Sequence, residues 1–456
     1  MLTRPATHQV APLAASAAAV LVLGALVLLA TQGTALVAVA VALALGLVAV
    51  LTWGTERVGT ALVTLGVLSA PMNDLRPIPS ADIATFSDVF LLLGFGLLLP
   101  RLLARSPRPQ ALHLVGSLVL ITFGMLASLA CPDPVTSIGY LGRMLTTLTV
   151  LPLAFVVWRP GRRMVNVLAW AYVVGQLVSM LGGFARGPVD DNRYDGLTTH
   201  PNFYGMCAML AGAICLHLFR EARPGRRWIP LLALAGCAAS VLNSGSRAAL
   251  LAAVLLAVLY PLLDRSGKAG YTLALGASLL VAFANVLLPH VQQGSALDRL
   301  LGNTSSAGSD TVREQALSTT FQDFLHHPLL GEGFSAVTTE THDAYLEVAN
   351  AFGIFALLGY LAILWSIARL AFRQGGDRNR LAYAAVGYCF IILFINTIWD
   401  RFAWVALCLV LARAVSGPVD PDPTSGEEVG DEITDPGSAT SGPDAAGVRQ
   451  RVPAAR

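Results

Sequence analysis

Residues 344–368 read AYLEVANAFGIFALLGYLAILWSIA, and Glu347 is the only charged residue in this run. A helix that crosses a bilayer needs about 20 consecutive and mostly apolar residues, because the hydrocarbon core is about 30 Å thick. The run meets this requirement over its whole length. We therefore expect residues 344–368 to form a membrane-spanning helix.

The composition of the whole chain also indicates a protein that is surrounded by lipid. Of its 456 residues, 55% are hydrophobic and 13% are charged, and the mean hydropathy is +0.64. Soluble domains carry roughly 25% charged residues, and a soluble core could not hide this much apolar surface. The formal net charge of +2 gives no indication of nucleic-acid binding. We expect an integral protein of a lipid bilayer.

Further apolar segments of helical length recur along the chain. They lie near residues 11–31, 35–52, 58–71, 86–103, 111–130, 138–158, 164–184, 201–219, 228–243, 247–263, 270–289, 381–399 and 402–415. Two of them, 58–71 and 402–415, are short for a membrane span. The pattern predicts an all-α, polytopic transmembrane bundle of about 12–14 helices, formed by residues 1–415.

Basic residues are concentrated in alternate gaps between these segments. The basic gaps lie near residues 101–108, 159–163, 220–227, 265–268 and 369–380. Under the positive-inside rule these gaps face the cytoplasm, and an even number of helices then places both termini there. We expect a multi-pass protein of the cytoplasmic membrane. Residues 416–456 are rich in Pro, Gly, Ser and acids, which is typical of a disordered tail, here a cytoplasmic one.

The longest gap on the opposite, outer side covers residues 290–343. Within it, the stretch TVREQALSTTFQDFLH (311–326) has apolar residues at helical spacing: Leu317, Phe321, Phe324 and Leu325. This pattern predicts an amphipathic helix that lies on the membrane or caps the bundle.

Arg247 is the most informative charge on the outer side. It follows the turn residues 243–246 and opens the predicted helix 247–263. A cation at a helix N-terminus opposes the macrodipole, and a charge at the edge of the bilayer usually has an anionic partner or lines a wet cavity. The alternative is an arginine that extends to the lipid headgroups and binds no specific ligand.

Further arginines lie on the same side: Arg143, Arg193 and Arg313. For Arg143 the alternative is an intramembrane ion pair with an acid such as Asp82 or Asp88. Arginines in positions such as the other two, taken singly, are more often solvated surface charges. Together with Arg247 these residues form a candidate cradle for phosphate or pyrophosphate, because the guanidinium fork matches those oxygens.

His342 is the candidate for proton transfer, because it falls in the first turn of a predicted span at the outer interface. Its alternative role is contact with lipid headgroups. We predict no metal site. The six cysteines have no CxxC spacing, and His326 and His327 have no carboxylate at ligand spacing.

A series of residues between positions 193 and 353 resembles a known family. In chain order these residues are Arg193, Gly196, Pro201, Asn202, Ser244, Gly245, Ser246, Arg247, Leu251, Arg313, Pro328, Gly331, Gly333, His342, Leu346 and Gly353. Their order, and the long outer gap that they flank, resemble the O-antigen ligase and polymerase superfamily of bacterial polysaccharide assembly. The sequence departs from the family pattern at Asp343, where Asn is usual, and at Ala351, where an acid is common.

The resemblance implies a metal-independent membrane glycosyltransferase that needs no cofactor. The donor would be a glycan on undecaprenyl pyrophosphate at the outer face of the cytoplasmic membrane, and the acceptor a glycan or another hydroxyl compound. His342 would act as general base or orient the acceptor hydroxyl. The arginines, first Arg247 and Arg313 and then Arg193 and Arg143, would hold the pyrophosphate as it leaves. Whether the enzyme joins repeat units as a polymerase or moves a whole glycan as a ligase stays open.

Other functions also fit a polytopic helical protein. A transporter or flippase of lipid-linked saccharides predicts charged or broken helices near the membrane midplane. A receptor or scaffold without catalysis is the third possibility. The enzyme hypothesis requires Arg247, Arg313 and His342 to cluster at one outer cavity, so their positions discriminate between these functions.

Overall fold

A computed structural model of the chain describes residues 34–77, 84–105, 109–283, 286, 292–302, 307–334, 341–373 and 379–416. Across these ranges the chain is helical, with no β-strand beyond an isolated bridge between Val189 and Arg193. The protein is an all-α, polytopic helical bundle, as the sequence predicted. The first predicted span, near residues 11–31, and the predicted tail after Ser416 lie outside the described residues.

The helices are numbered here in chain order. They are α1 Thr34–Trp53, α2 Thr55–Ser69, α3 Phe86–Leu103, α4 Ala111–Ala130, α5 Pro134–Leu145, α6 Leu151–Trp158, α7 Arg162–Arg186, α8 Pro201–Glu221, α9 Trp228–Asn243, α10 Arg247–Asp264, α11 Gly267–Ala282, α12 Ala296–Leu300, α13 Ala307–His326, α14 Ala344–Ala368, α15 Ala382–Ile391 and α16 Arg401–Val415. A π-helical segment, Thr146–Val150, joins α5 to α6. Several bounds coincide with the predicted ones, because long apolar runs begin and end at polar or turn-forming residues.

Within the described ranges, seven helical segments are long and apolar enough to cross a membrane. They are Phe86–Leu103, Ala111–Ala130, Pro134–Trp158, Arg162–Arg186, Pro201–Glu221, Arg247–Asp264 and Ala344–Phe372. Other predicted spans form shorter helices, such as α2 with 15 residues and α9 with 16. The predicted total of about 12–14 spans stays a prediction.

The predicted span 381–399 is not a continuous helix. The helix α15 ends at Ile391, and residues 392–400 are irregular. Side chains of neighbouring helices donate to the backbone carbonyls of this segment, with Tyr388 bonded to Thr397 (2.8 Å) and Trp404 to Ile398 (3.1 Å). Irregular backbone in an apolar protein is tolerated where such partners are present. The sequence pattern missed this interruption because the segment remains apolar.

A second interruption lies inside α14, at Gly353, whose φ of 79° is left-handed. The turn 328–334 fills the gap. The backbone amide of Glu332 donates to the Asn350 carbonyl (2.9 Å), and that of Ile354 donates to the Pro328 carbonyl (2.9 Å). A Cβ atom at Gly353 would collide with the backbone of Leu329, so only glycine fits. The run 344–368 is therefore two helical halves joined at Gly353.

The bundle core lies around α8, where most residues of the helix are buried. The second half of α14 packs closely on α4. Gly116 and Gly359 face each other there, and a Cβ atom at Gly116 would lie 2.7 Å from the Gly359 carbonyl oxygen. Such small-residue contacts let helix backbones approach, which is common between helices in membranes.

An ion-pair cluster joins α8, α10 and the turn before α15 at the end of α10 that is opposite Arg247. Asp264 is 3% exposed and pairs with Arg220 (2.5 Å) and Arg380 (2.8 Å). Arg220 also donates to the Tyr260 hydroxyl (3.1 Å). We call this group the Asp264 cluster.

Candidate functional site

A cavity of about 280 Å³ lies where α10 begins. It is lined by Asn202, Gly245, Ser246, Arg247, Ala248, Leu251, Arg299, Leu300, Arg313, Phe394 and Ile395. Arginines are the charged residues among these, and no acidic side chain belongs to the described lining. Guanidinium groups from α10, α12 and α13 therefore converge on one space, which suits an anionic ligand.

Arg247 reaches the cavity through the turn that precedes α10. Ser246 caps the helix, since its hydroxyl accepts from the Ala249 amide (3.3 Å), and Arg247 is the first helical residue. The buried Ser244 hydroxyl accepts from the Ser246 amide (3.1 Å) and fixes the turn. The positive end of the α10 macrodipole and the half-buried Arg247 guanidinium thus add their charges at the cavity.

Arg193, a predicted pyrophosphate ligand, lies behind the cavity wall. Its Nη2 donates to Oδ1 of Asn202 (2.9 Å), and its Nε donates to the Ser244 carbonyl (3.0 Å). Asn202 lies in the first turn of α8, which begins at Pro201 after the capping residue His200. Arg193 therefore joins the α8 wall to the turn that carries Arg247.

Arg299 lines the cavity, and sequence reasoning missed it. It lies on the short helix α12, where Ser295 accepts from the Asp298 amide (3.2 Å) and Asp298 accepts from the Gly294 amide (3.0 Å). Its Nη1 donates to the Gly245 carbonyl (3.4 Å). The pattern Ser295-x-x-Asp298 is a helix-start signal, and it could have placed Arg299 on an ordered element of the long gap.

The helix α13 carries Arg313 and confirms the helix predicted over residues 311–326. Ala316 and Thr320 are buried on the side that packs against α14. The predicted apolar face is exposed at Leu317, Phe321 and Leu325. The small residues rather than the large apolar ones therefore attach α13 to the bundle, and this attachment brings Arg313 to the cavity.

His342 has a left-handed backbone conformation, with φ of 58°, directly before the cap of α14. Left-handed conformation costs a non-glycine residue about 1–2 kcal/mol, and such strain concentrates at functional sites. Asp343 caps the helix by accepting from the amides of Tyr345 (2.9 Å) and Leu346 (3.1 Å). Burial raises the pKa of the Asp343 carboxyl, and those two amide bonds oppose the shift.

His342 is not among the residues that line the arginine cavity. Its chain neighbours contact a second pocket and the segment 392–400. Thr341 lines a second pocket of about 10 Å³, together with Thr320, Glu347 and Asn350. The Ala344 amide donates to the Ile392 carbonyl (3.0 Å). That carbonyl begins the irregular segment whose residues 394 and 395 line the arginine cavity. His342 thus lies between Thr341, which lines the second pocket, and Ala344, which is bonded to the segment that lines the arginine cavity.

Arg143, the remaining predicted ligand, is not brought to the cavity. It is exposed, and its Cζ lies 5.8 Å from the centroid of the Tyr140 ring. Asp88, one of its predicted partners, forms an ion pair with Arg401 instead (2.7 Å), and Asp82 lies outside the described residues. The two hypotheses for Arg143 thus find no supporting contact in the described part of the chain.

The donors at the cavity are cationic, so they suit an anion rather than a metal ion. Across the described ranges no group of three or more His, Cys, Asp or Glu side chains could hold a metal. That no metal or cofactor is needed stays a prediction.

No protein-family model matches the sequence, and no curated protein matches it significantly. The resemblance to the O-antigen ligase and polymerase superfamily therefore rests on the motif residues, and the function is argued below from those residues and from the cavity.

Proposed function

We propose that the protein is a membrane glycosyltransferase of the O-antigen ligase or polymerase type. It takes a glycan from undecaprenyl pyrophosphate at the outer face of the cytoplasmic membrane and transfers it to a hydroxyl acceptor. The observation that carries the proposal is the convergence of Arg247, Arg299 and Arg313 on one cavity at the first turn of a membrane helix.

The cavity supports binding of a diphosphate. Its charged groups are guanidiniums from three separate helices, and a helix N-terminus adds a further positive potential. Planar guanidinium groups can each form two hydrogen bonds with phosphate oxygens. A diphosphate offers enough oxygens for several such contacts.

The proposed reaction is a displacement at the anomeric carbon of the donor sugar. The acceptor oxygen forms a bond to that carbon, and the bond between the carbon and the pyrophosphate oxygen breaks. The electron pair leaves with the pyrophosphate, where Arg247, Arg299 and Arg313 stabilise the added negative charge. His342 accepts the proton of the acceptor hydroxyl. Undecaprenyl pyrophosphate and a lengthened or transferred glycan are the products.

Transport of a lipid-linked saccharide is the second candidate, because two helices are interrupted. Broken helices often form the binding sites of transporters, and here α14 breaks at Gly353 and residues 392–400 are irregular. The turn 328–334, however, fills the first break with backbone hydrogen bonds. The arginine cavity also lies at the end of α10 rather than at its middle, which favours the enzyme.

The test compares glycans in cells that carry the wild type, Arg247→Ala, Arg313→Ala or His342→Ala, with equal membrane insertion confirmed. Arg226→Ala is the matched control, because Arg226 is exposed and lies in a short 3₁₀ helix before α9, and it is not among the residues that line the cavity. We expect the site variants to lose long or transferred glycan and to accumulate the lipid-linked precursor outside, and the control to behave as the wild type.

The accumulated precursor separates the two enzyme types. Single repeat units on the lipid indicate a polymerase, and full-length chains indicate a ligase. Accumulation of the precursor on the inner leaflet would instead support a flippase. Unchanged glycan in all site variants would refute the catalytic assignment.

A further inference from the structure

One side of the arginine cavity is apolar and exposed. Leu251, Leu300 and Phe394 line the cavity together with the arginines, and a large part of each side chain is exposed. A site for a small water-soluble anion has no need of such a rim. A ligand with a charged head and an apolar chain would contact both kinds of side chain.

The apolar rim continues along α10 in line with Arg247. Leu251 lies one turn after Arg247, and further exposed residues follow at spacings of three and four on the same face: Val254, Val258 and Leu262. From Arg247 to Leu262 this face runs about 22 Å, at 1.5 Å per residue. One leaflet of hydrocarbon is about 15 Å thick, so the face extends from the cavity past the middle of a bilayer.

The opposite face of α10 is occupied by the bundle. Ala249, Ala252 and Leu256 are buried there, so the face of Leu251, Val254 and Val258 is directed away from the core. Lipid-facing helices are apolar in general. What singles out this face is that Leu251 is shared with the cavity and follows Arg247 on one helix.

We infer that the face of α10 formed by Leu251, Val254 and Val258 holds the polyprenyl tail of the donor. The diphosphate enters the arginine cavity sideways from the membrane. This inference rests on the proposed function, since it assigns a tail to the lipid diphosphate proposed there. The tail and the diphosphate then contribute separately to affinity, and variants of the two regions have different effects on probes with and without a tail.

The test measures binding of two probes, undecaprenyl pyrophosphate and inorganic pyrophosphate, to the full-length protein in lipid nanodiscs. The double variant Val254→Trp/Val258→Trp obstructs the face while remaining apolar. Its matched control is Val174→Trp/Val178→Trp on α7. The control positions have the same residue type and spacing and are 41% exposed each, against 52% and 49% on α10.

We expect the α10 double variant to bind undecaprenyl pyrophosphate about tenfold more weakly, which corresponds to about 1.4 kcal/mol. Its affinity for inorganic pyrophosphate should stay at the wild-type value, and the α7 control should bind both probes normally. Arg247→Ala should weaken binding of both probes. Equal thermal unfolding of the variants would show that they are folded.

Two results would overturn the inference in distinguishable ways. If Arg247→Ala weakens both probes but the α10 and α7 double variants behave alike, the tail lies elsewhere while the proposed function stands. If the wild type binds neither probe, the diphosphate site itself is refuted, and the proposed function with it.

Discussion

Arg193 and Asn202 form a hydrogen bond of 2.9 Å between a guanidinium nitrogen and a side-chain amide oxygen, just behind the arginine cavity. Asn202 lines the cavity, whereas Arg193 does not. Arg193 also donates a hydrogen bond to the Ser244 carbonyl. It is thus a positioning residue that fixes two walls of the site.

Arg193→Lys should weaken donor binding more than it slows the chemical step. Lysine offers a single ammonium in place of the planar fork that contacts Asn202 and Ser244. We expect KM for the lipid donor to rise roughly tenfold, a loss of about 1.4 kcal/mol, with kcat within about threefold of the wild type. A double-mutant cycle with Asn202→Ala should be clearly non-additive. Additive effects would mean that the two residues act independently.

His342→Gly should abolish transfer while preserving the fold. Glycine adopts the left-handed conformation of this position without strain, so thermal stability should equal or exceed that of His342→Ala. Loss of general-base assistance should lower kcat by about 10²–10⁴-fold in both variants. The measurement is kcat beside a thermal unfolding curve. A His342→Gly protein with near wild-type kcat would exclude His342 as the proton acceptor.

Asp343→Asn should be tolerated, because asparagine caps a helix as well as aspartate does. Asp343→Ala loses both cap bonds, to the amides of Tyr345 and Leu346, and should cost about 0.5–2 kcal/mol of stability. The Asn that is usual in the resembled family thus fits the same cap. Comparison of unfolding curves for the two variants checks this, and equal loss in both would refute the cap as the role of Asp343.

The raised pKa of Asp343 predicts that the stability of the fold decreases as pH rises. Burial raises the pKa of Asp343 above its ordinary value of 3.8, so the folded protein binds a proton more readily than the unfolded chain. The contribution of this group to stability is therefore fully present below pH 3.8 and is lost as pH rises through the folded-state pKa. Relative to Asp343→Asn, the wild type should gain stability on acidification. Parallel curves of unfolding temperature against pH would contradict this.

Asp264→Ala should destabilise the protein without altering the cavity. It leaves Arg220 and Arg380 without the carboxylate that joins them in the Asp264 cluster. Both arginine side chains are partly exposed, so the loss of stability should be well below the about 3–5 kcal/mol of a fully buried pair. The cluster lies about 26 Å from Arg247 along α10, so the folded fraction should bind inorganic pyrophosphate normally. Weaker pyrophosphate binding by that fraction would show that the two ends of α10 are coupled.

Gly353→Ala should prevent correct folding. The new Cβ atom would collide with the backbone of Leu329, and the left-handed conformation would be strained. We expect a sharp drop in the yield of monodisperse protein. Gly276→Ala is the matched control, because Gly276 lies in α11 with open space around it and alanine favours helix there. A stable Gly353→Ala protein would mean that the break is not required.

The helices could be predicted from sequence because their signal is local. Long apolar runs that end at turn-forming residues predicted the bounds of α4 and α9, and the helical spacing of apolar residues predicted α13. The breaks at Gly353 and at residues 392–400 could not be predicted in this way. The first break depends on hydrogen bonds with the turn 328–334, and the second segment is held by the Ala344 amide and the Thr147 hydroxyl, which are distant in sequence. The apolar composition continues across both.

The sequence predicted arginines at the candidate site, but it did not predict which of them line the cavity. Arg247 and Arg313 line one cavity, but His342, which the enzyme hypothesis places with them, is not among the lining residues. Arg299 lies on a five-residue helix that has little periodic signal, and Arg143 lies on a helix whose packing directs it elsewhere. Which arginines meet is decided by tertiary packing, and spacing along a single sequence does not encode it.

The turn 328–334, which follows α13, is hydrogen-bonded to α14 on both sides of Gly353. The Glu332 amide donates to the Asn350 carbonyl in the first half, and the Ile354 amide of the second half donates to the Pro328 carbonyl. The second half also packs closely on α4. The helix that carries Arg313 is therefore connected to the membrane-spanning half of α14. A thinner or thicker bilayer that changes the tilt of that half would thus change the surroundings of Arg313.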